Sequence, residues 1–286
     1  MRKNIRKICT VLMLSTLSCA ASAVPVFVND VTETSGWIDT NKTGKDDTLL
    51  CWAAAASNLL AYTGWTGGPG HQTATDIFGD FVSHWDDKGG STWYGIDWWF
   101  GGQNGKQGAT GWAQLTDNTH KGYYSEDLFS RNYLWKNLIN RAGGFESLLF
   151  GYITKGQVNL GKAGLSLVLG WYRISSTGLI ERNGGHALTL WGIDQDANAL
   201  YVTDSDDRKN QLEVIHYNEN NGFLTDYGYG GRLETVFLLD MWNSREGDPL
   251  PRNDVPEPST AVLLMAGLAG LVRSRAKRRT FYPTAI

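Results

Sequence analysis

The sequence predicts an α+β fold, in which a helical first half of one domain is followed by a β-rich second half. An alanine-rich segment that begins near residue 48 has high helix propensity. From about residue 164 onward, runs of alternating bulky apolar residues are typical of strands. The predicted domain covers residues 24–248, which is long enough to bury a core without disulfides.

The first element is a predicted helix that starts close to residue 48. Asp47 or Thr48 is the expected N-cap, because either side chain can accept a hydrogen bond from the first free backbone N–H groups. Gly64 is the expected stop. This prediction places Cys51 in the first turn of the helix.

The later elements are predicted strands at residues 164–172, 187–192, 200–203, 211–217 and 233–239. A glycine turn at residues 183–185 is expected to precede the second of them, with His186 opening that strand. Residues 193–199 are expected to form a hairpin turn. Residues 65–135 are rich in glycine and tryptophan, and most of these tryptophans are expected in the core rather than along a substrate cleft.

Both termini carry targeting patterns. Residues 1–23 combine a cationic start, an apolar run and a small-residue cleavage site, and so predict a Sec signal peptide. After a linker at 249–254, residues 255–279 contain Pro-Glu-Pro, a charge-free apolar stretch at 260–272 and a basic cluster, followed by a tail at 280–286. An apolar stretch stopped by cations predicts a transmembrane segment that gives transient membrane association.

The order of these C-terminal features resembles the PEP-CTERM sorting signal of Gram-negative bacteria. That resemblance implies export across the inner membrane, with signal peptidase and exosortase as processing partners. The mature protein would then lie at the cell surface, in the extracellular matrix or in the medium.

Charge is distributed unevenly along the chain, whose formal net charge is -3. Without the nine cations and one anion of residues 1–23 and 255–286, the middle keeps 17 cations and 28 anions, a net charge of -11. Nucleic-acid affinity depends largely on cationic contacts to phosphates. The acidic body therefore argues against a nucleic-acid partner.

Cys51 is the one cysteine that remains once the signal peptide is removed. In an oxidising compartment a lone cysteine is either inert core or a reactive group. The start of a helix favours the thiolate, because free N–H groups and the helix dipole stabilise negative charge there. The position therefore favours a nucleophile.

A thiolate nucleophile needs a base that a third group orients. Of the five histidines, His186 is the best candidate for this base, because its place at the start of a predicted strand would hold it rigidly. An antiparallel return of the next strand would bring Asp204 or Asp206 to the imidazole. Cysteine, histidine and aspartate then follow the chain order of papain-like peptidases.

The acidic residues near these strands have other interpretations. Asp194, Asp196 and Asn198 match the first positions of a calcium loop, but Ala199 and Ser205 stand where glycine and glutamate are needed. A plain Asx turn is the preferred interpretation. We expect no metal and no cofactor.

Two blocks, residues 36–62 and 183–207, carry a resemblance to a known family. The matching features are Lys42-Thr43, Gly44-Lys45-Asp46-Asp47, Leu49-Leu50-Cys51, His186, Leu190-Trp191-Gly192, Asp194 and Tyr201-Val202-Thr203-Asp204-Ser205-Asp206. Together they resemble the IdeS/Mac family of secreted cysteine endopeptidases. The resemblance implies a papain-like fold, with the helix that bears the cysteine packed against the β-rich half that bears the histidine and aspartate.

The same resemblance implies individual roles. Cys51 would be the nucleophile, His186 the base and Asp204 the residue that orients it, with Asp206 as a second supporting carboxylate. A lysine ahead of the cysteine would contribute to the oxyanion hole. Lys42 matches that lysine, and Lys45 is the alternative because spacing in this loop differs from the family pattern.

The predicted function is therefore an exported cysteine endopeptidase, expected to be a monomer, that acts on an unidentified protein substrate. The immunoglobulin specificity of streptococcal members is not expected to carry over, because the middle of the chain differs. The alternatives are a transglutaminase-like acyl transferase and a non-catalytic module that binds matrix glycans through its tryptophans. A carboxylate-pair glycoside hydrolase would need a motif that the sequence lacks.

Overall fold

The computed structural model describes residues 24–102, 111–117, 119–139, 144–158, 162–225 and 231–240, in which four helices come before all strands except the short first one. The helices are α1 (Cys51–Thr63), α2 (Ala74–His84), α3 (Thr92–Gly101), α4 (Glu126–Asn132) and α5 (Phe145–Val158). The strands are β1 (Val26–Phe27), β2 (Tyr133–Asn137), β3 (Ala163–Ile174), β4 (Ile180–Asp194), β5 (Ala199–Thr203), β6 (Glu213–His216) and β7 (Gly231–Asp240). The mixed architecture agrees with the predicted α+β class.

The described strands form one antiparallel sheet in the order β2-β7-β3-β4-β5-β6, with β1 paired to Gly192 and Ile193 of β4, beyond the end of the β3–β4 ladder. The long strands β3 and β4 lie at its centre and pair from Leu165↔Leu190 out to Ile174↔Ile180. Four of the five predicted strand segments lie within β3, β4, β5 and β7, and the fifth, 211–217, extends beyond both ends of β6. The pairing of β4 with β5 therefore fixes which of their side chains lie next to one another.

Helix α1 is buried along almost its whole length, which explains its alanine-rich sequence. An all-round apolar helix is stable only when neighbours cover every side, and here α2, α3, β3 and β4 do so. Asn58 ties the helix to β4, because its side-chain amide donates to the hydroxyl of Thr189 at 3.0 Å. Gly64 ends the helix in the left-handed region, as predicted.

Two apolar cores lie against the sheet. One is built from α1 to α4 and contains the fully buried tryptophans at positions 52, 65, 85, 98 and 99. The other contains the leucine-rich side chains of β3, β4 and β7 together with Phe145 and Leu149 of α5. The prediction that most tryptophans belong to the core is confirmed, whereas Trp112 and Trp135 are 39% and 57% exposed.

The predicted signal peptide, linker, sorting signal and tail fall outside the described residues, as do the predicted transmembrane segment and the end of the predicted domain at residue 248. Among the residues that the structure does describe, no helix has the length and apolar character needed to cross a membrane.

Candidate active site

Cys51 is the first residue of α1 and is a partly buried residue. The N-cap is Leu50, so the predicted capping by Asp47 or Thr48 is wrong. Asp47 is instead engaged by the preceding loop, where its carboxylate accepts hydrogen bonds from the backbone N–H groups of Thr43 and Gly44 at 2.6 and 2.7 Å. The uncapped helix start leaves its positive end facing the thiol.

The loop that is held by the Asp47 carboxylate also positions Lys42 at the site. The Lys42 ammonium lies 2.5 Å from Asp206 Oδ1 and also donates to the backbone carbonyl of Thr48. Its backbone N–H donates to Ser205 O at 2.9 Å, which fixes this loop against the segment after β5. The alternative, Lys45, is solvent-exposed. Of the two lysines, the structure therefore brings Lys42 and not Lys45 to the site.

His186 lies within β4 and is not preceded by a turn. The expected turn at residues 183–185 is wrong, because β4 begins at Ile180 and pairs with β3 through this segment, with a bulge opposite Trp171 and Tyr172. Its glycines serve close packing: a Cβ at Gly184 would lie 3.0 Å from the Trp171 ring. The imidazole is consequently mounted on the centre of a sheet and is buried.

The hairpin spacing predicted that Asp204 or Asp206 would reach His186, and the return of β5 brings Asp204 into direct contact with it. His186 Nε2 and Asp204 Oδ1 are 2.7 Å apart, and both side chains are more than nine-tenths buried. The same Asp204 oxygen accepts the backbone N–H of Asp206 at 2.9 Å. Asp206 Oδ2 lies 3.9 Å from the other ring nitrogen, Nδ1. In the hairpin turn itself, the Asp194 side chain accepts from the backbone N–H of Ala197, three residues on rather than the two of the predicted Asx turn.

The imidazole of His186 is hydrogen-bonded to the thiol of Cys51 and to the carboxylate of Asp204. Burial is the largest influence on the thiol and opposes its ionisation, but the hydrogen bond and charge of His186, the Ala187 backbone N–H and the Lys42 charge together lower the pKa of Cys51. Burial likewise opposes imidazolium formation, but hydrogen bonds to Asp204 and Cys51 raise the pKa of His186 from 6.5 to about 10. The pair therefore favours thiolate and imidazolium at neutral pH.

Trp171 is a neighbour of the site, and the sequence predicted only that it belongs to a strand. Its ring lies parallel to that of His186, with centroids 6.0 Å apart and planes inclined by 11°. Its cross-strand partner is Gly184. The sequence offers one signal of the packing of Trp171 on His186. Two glycines precede the histidine, and the neighbouring strand contains a tryptophan.

A cleft of 590 Å³ opens beside these groups. One wall is formed around the start of α1 and by residues 89–92, and the other by β4 and the adjoining part of β3. Cys51, His186, Asp206 and Lys42 line the cleft together. A group bound there would meet the thiol directly.

His186, Asp204 and Asp206 also offer ring-nitrogen and carboxylate atoms that lie within 4.8 Å of one another, a spacing that a metal ion could use. In this arrangement Asp206 is paired with the Lys42 ammonium, and His186 is hydrogen-bonded to Asp204. A lysine cation at the same carboxylate repels a divalent ion. The contacts favour proton handling over metal binding.

Residues 254–279 match the family model of the PEP-CTERM protein-sorting motif. The motif indicates export in a Gram-negative bacterium, exosortase-mediated processing and a surface or secreted location. No curated protein matches the chain. The resemblance of residues 36–62 and 183–207 to the IdeS/Mac family therefore stays a prediction.

Proposed function

We propose that this protein is an exported cysteine endopeptidase of the papain type, related to the IdeS/Mac family. One observation carries the proposal: a buried imidazole bridges a thiol at a helix N-terminus and a buried carboxylate. A nucleophile, a base and an orienting group in that order constitute the machinery of acyl transfer. The adjacent cleft supplies room for a peptide bond at the thiol.

Acylation begins when the Cys51 thiolate attacks the carbonyl carbon of the substrate, forming a C–S bond and placing negative charge on oxygen. The backbone N–H of Cys51 and the Lys42 ammonium can face that oxyanion. His186, already an imidazolium, then donates its proton to the departing amine as the C–N bond breaks. A thioester on Cys51 and a free amine result.

Deacylation reverses these roles. His186, now neutral, accepts a proton from a water molecule whose oxygen attacks the thioester carbonyl. The C–S bond breaks, the carboxylic acid leaves and the thiolate is restored. Asp204 holds the imidazole in place and stabilises its protonated form at each stage.

The decisive measurement is the rate of Cys51 alkylation by iodoacetamide as a function of pH, followed by intact mass. We expect a high rate already at pH 6, because His186 supports the thiolate, and a collapse of that rate in His186→Ala. His216→Ala is the matched control, since it removes another sheet histidine, on β6, and should leave the rate unchanged. A rate that rises only toward the free-thiol pKa of about 8.5 and ignores His186 would refute the peptidase proposal.

Product analysis separates hydrolysis from its closest alternative, transfer of the acyl group to an amine. Unfolded proteins are incubated with the enzyme in the presence and absence of a primary amine, and the masses of the fragments are measured by mass spectrometry. Hydrolysis yields free carboxyl ends in both mixtures. Dominant amide products would identify a transglutaminase-like enzyme instead. The glycan-binding alternative loses support because the tryptophans at 65, 85, 98 and 99 are buried.

A further inference from the structure

A second group of charged side chains lies beside the cleft, apart from the cysteine and histidine, and its arginine lines the cleft. Arg182 of β4 forms a two-pronged ion pair with Glu234 of β7, with Nε 2.9 Å from Oε1 and Nη2 2.8 Å from Oε2. Tyr172 donates its hydroxyl to the same carboxylate at 2.6 Å. The pair fixes the guanidinium plane, which a single hydrogen bond would not do.

The central strands are shaped to accommodate this pair. Gly170 and Gly185 are cross-strand partners on β3 and β4. A Cβ at Gly170 would lie 1.9 Å from Glu234 Oε1, and one at Gly185 would lie 2.2 Å from Arg182 Nη2. Neither glycine has a positive φ. Glycine is therefore needed at both positions because the ion pair approaches the backbone closely, and not because of the backbone conformation.

The two partners differ in their access to solvent. The Glu234 side chain is 9% exposed and the Arg182 side chain is 41% exposed. Nη1 of Arg182 makes no hydrogen bond to any group of the described residues. Glu234 is therefore the buried anchor, and the outer edge of the guanidinium remains available to a ligand.

Arg182 is also a cation of the cleft lining whose carboxylate partner, Glu234, lies outside that lining. Among the lining residues, Lys42 and Asp206 are ion-paired to one another, whereas Glu234 lies beneath the surface and does not line the cleft. The guanidinium lies over Gly185, the residue before His186. Gly185 adjoins His186 and an extended chain spans about 3.3 Å per residue. We therefore expect a substrate side chain that reaches Arg182 to belong to a residue within about two of the scissile bond.

We propose that Arg182 selects substrates with an aspartate or glutamate side chain within two residues of the cleaved bond. This inference rests on the proposed endopeptidase function, whose substrate class it names. A guanidinium with open N–H groups accepts a carboxylate in planar geometry. Anchoring by Glu234 and Tyr172 means that little side-chain freedom is lost on binding.

The test uses matched peptides that carry aspartate or asparagine at each of the two positions on either side of the bond. In the wild-type protein we expect kcat/KM to be about tenfold higher for an aspartate peptide at one of these positions. Arg182→Gln should abolish that ratio. Arg173→Gln removes an exposed cation from β3, outside the cleft lining, and should preserve it.

Two more variants guard against misfolding, since Arg182→Gln leaves Glu234 buried without its cation. The double variant Arg182→Gln with Glu234→Gln removes both charges and should also lose the aspartate preference. Glu234→Gln alone should keep or increase it, because the amide oxygen still accepts from Arg182 while the competing charge is gone. A purely structural ion pair would instead change overall activity and leave the ratio unaltered.

The two proposals fail in different ways. Equal cleavage of aspartate and asparagine peptides by the wild-type protein overturns the role of Arg182 and leaves the peptidase intact. Failure to cleave any peptide, together with a Cys51 that alkylates only at high pH, overturns the peptidase and the Arg182 proposal with it.

Discussion

Histidine–aspartate pairs lie in two regions of the molecule and have nearly the same length. At the sheet, His186 Nε2 is 2.7 Å from Asp204; in the helical half, His71 Nδ1 is 2.6 Å from Asp80. The first pair is almost fully buried, whereas the side chains of the second are 25% and 19% exposed.

Their surroundings differ more than their distances. His186 faces a thiol at a helix N-terminus and lines a cleft. His71 packs against the ring of Tyr123, with centroids 5.5 Å apart, and lies in a loop before α2. A short contact between imidazole and carboxylate is therefore not by itself a sign of a catalytic site. His186 is a candidate for catalysis because a nucleophile lies on the far side of its ring.

The largest expected effect comes from breaking the two pairs in the same way. Asp204→Asn should lower kcat by about 10³-fold or more, because the amide no longer stabilises the imidazolium or holds its tautomer. Asp80→Asn should leave kcat within about twofold, since no reacting group contacts His71. Peptide cleavage rates on both variants, with circular dichroism to verify folding, make the comparison. Equal losses in the two variants would mean that Asp204 acts only through the fold.

The sequence predicted the sheet pair because its geometry follows from local rules. Two alternating strands joined by a short turn must place residues near their open ends side by side, so spacing could assign Asp204 or Asp206 to His186. The choice of Asp204 came from the family resemblance. The choice between Lys42 and Lys45 could not be made from spacing. It depends on how the loop wraps around the buried carboxylate of Asp47.

Close packing was equally hidden. Residues 183–185 were predicted to be a turn because glycine usually signals one, yet Gly185 is needed so that Arg182 can lie across the strand. Turn propensity describes only the local chain, and it does not show which side chains pack against a glycine. The Arg182–Glu234 pair joins residues 52 positions apart, so no local pattern revealed it.

An intermediate effect is expected at the two lysines. Lys42→Met should lower kcat for peptides by about 10²-fold, because the oxyanion loses a charged partner, and Lys45→Met should change it by less than about twofold. Alkylation by iodoacetamide separates the possible causes, since that reaction forms no oxyanion. A loss in alkylation as large as the loss in peptide cleavage would show that Lys42 acts through the pKa of the thiol instead.

The smallest expected effect concerns stability, and it contrasts the same two regions. His120 packs on Trp98 in the helical half, with ring centroids 4.3 Å apart. Burial, reinforced by the charge of His84, lowers the pKa of His120 from 6.5 to about 4. The unfolded chain therefore binds a proton more readily than the folded one between these values, and the free energy of unfolding falls as pH drops from 6.5 to 4.

His186 has the opposite sign. Its pKa is raised to about 10, so the stability that it contributes is complete below pH 6.5 and is lost as pH rises through 10. Urea unfolding between pH 4 and pH 10 should show that His120→Phe removes about 2 kcal/mol of the acid loss and leaves the alkaline loss in place, whereas His186→Ala flattens the alkaline side alone. If His120→Phe leaves the acid side as steep as in the wild-type protein, His120 is protonated in the folded state and its burial between Trp98 and Tyr123 does not exclude the charge.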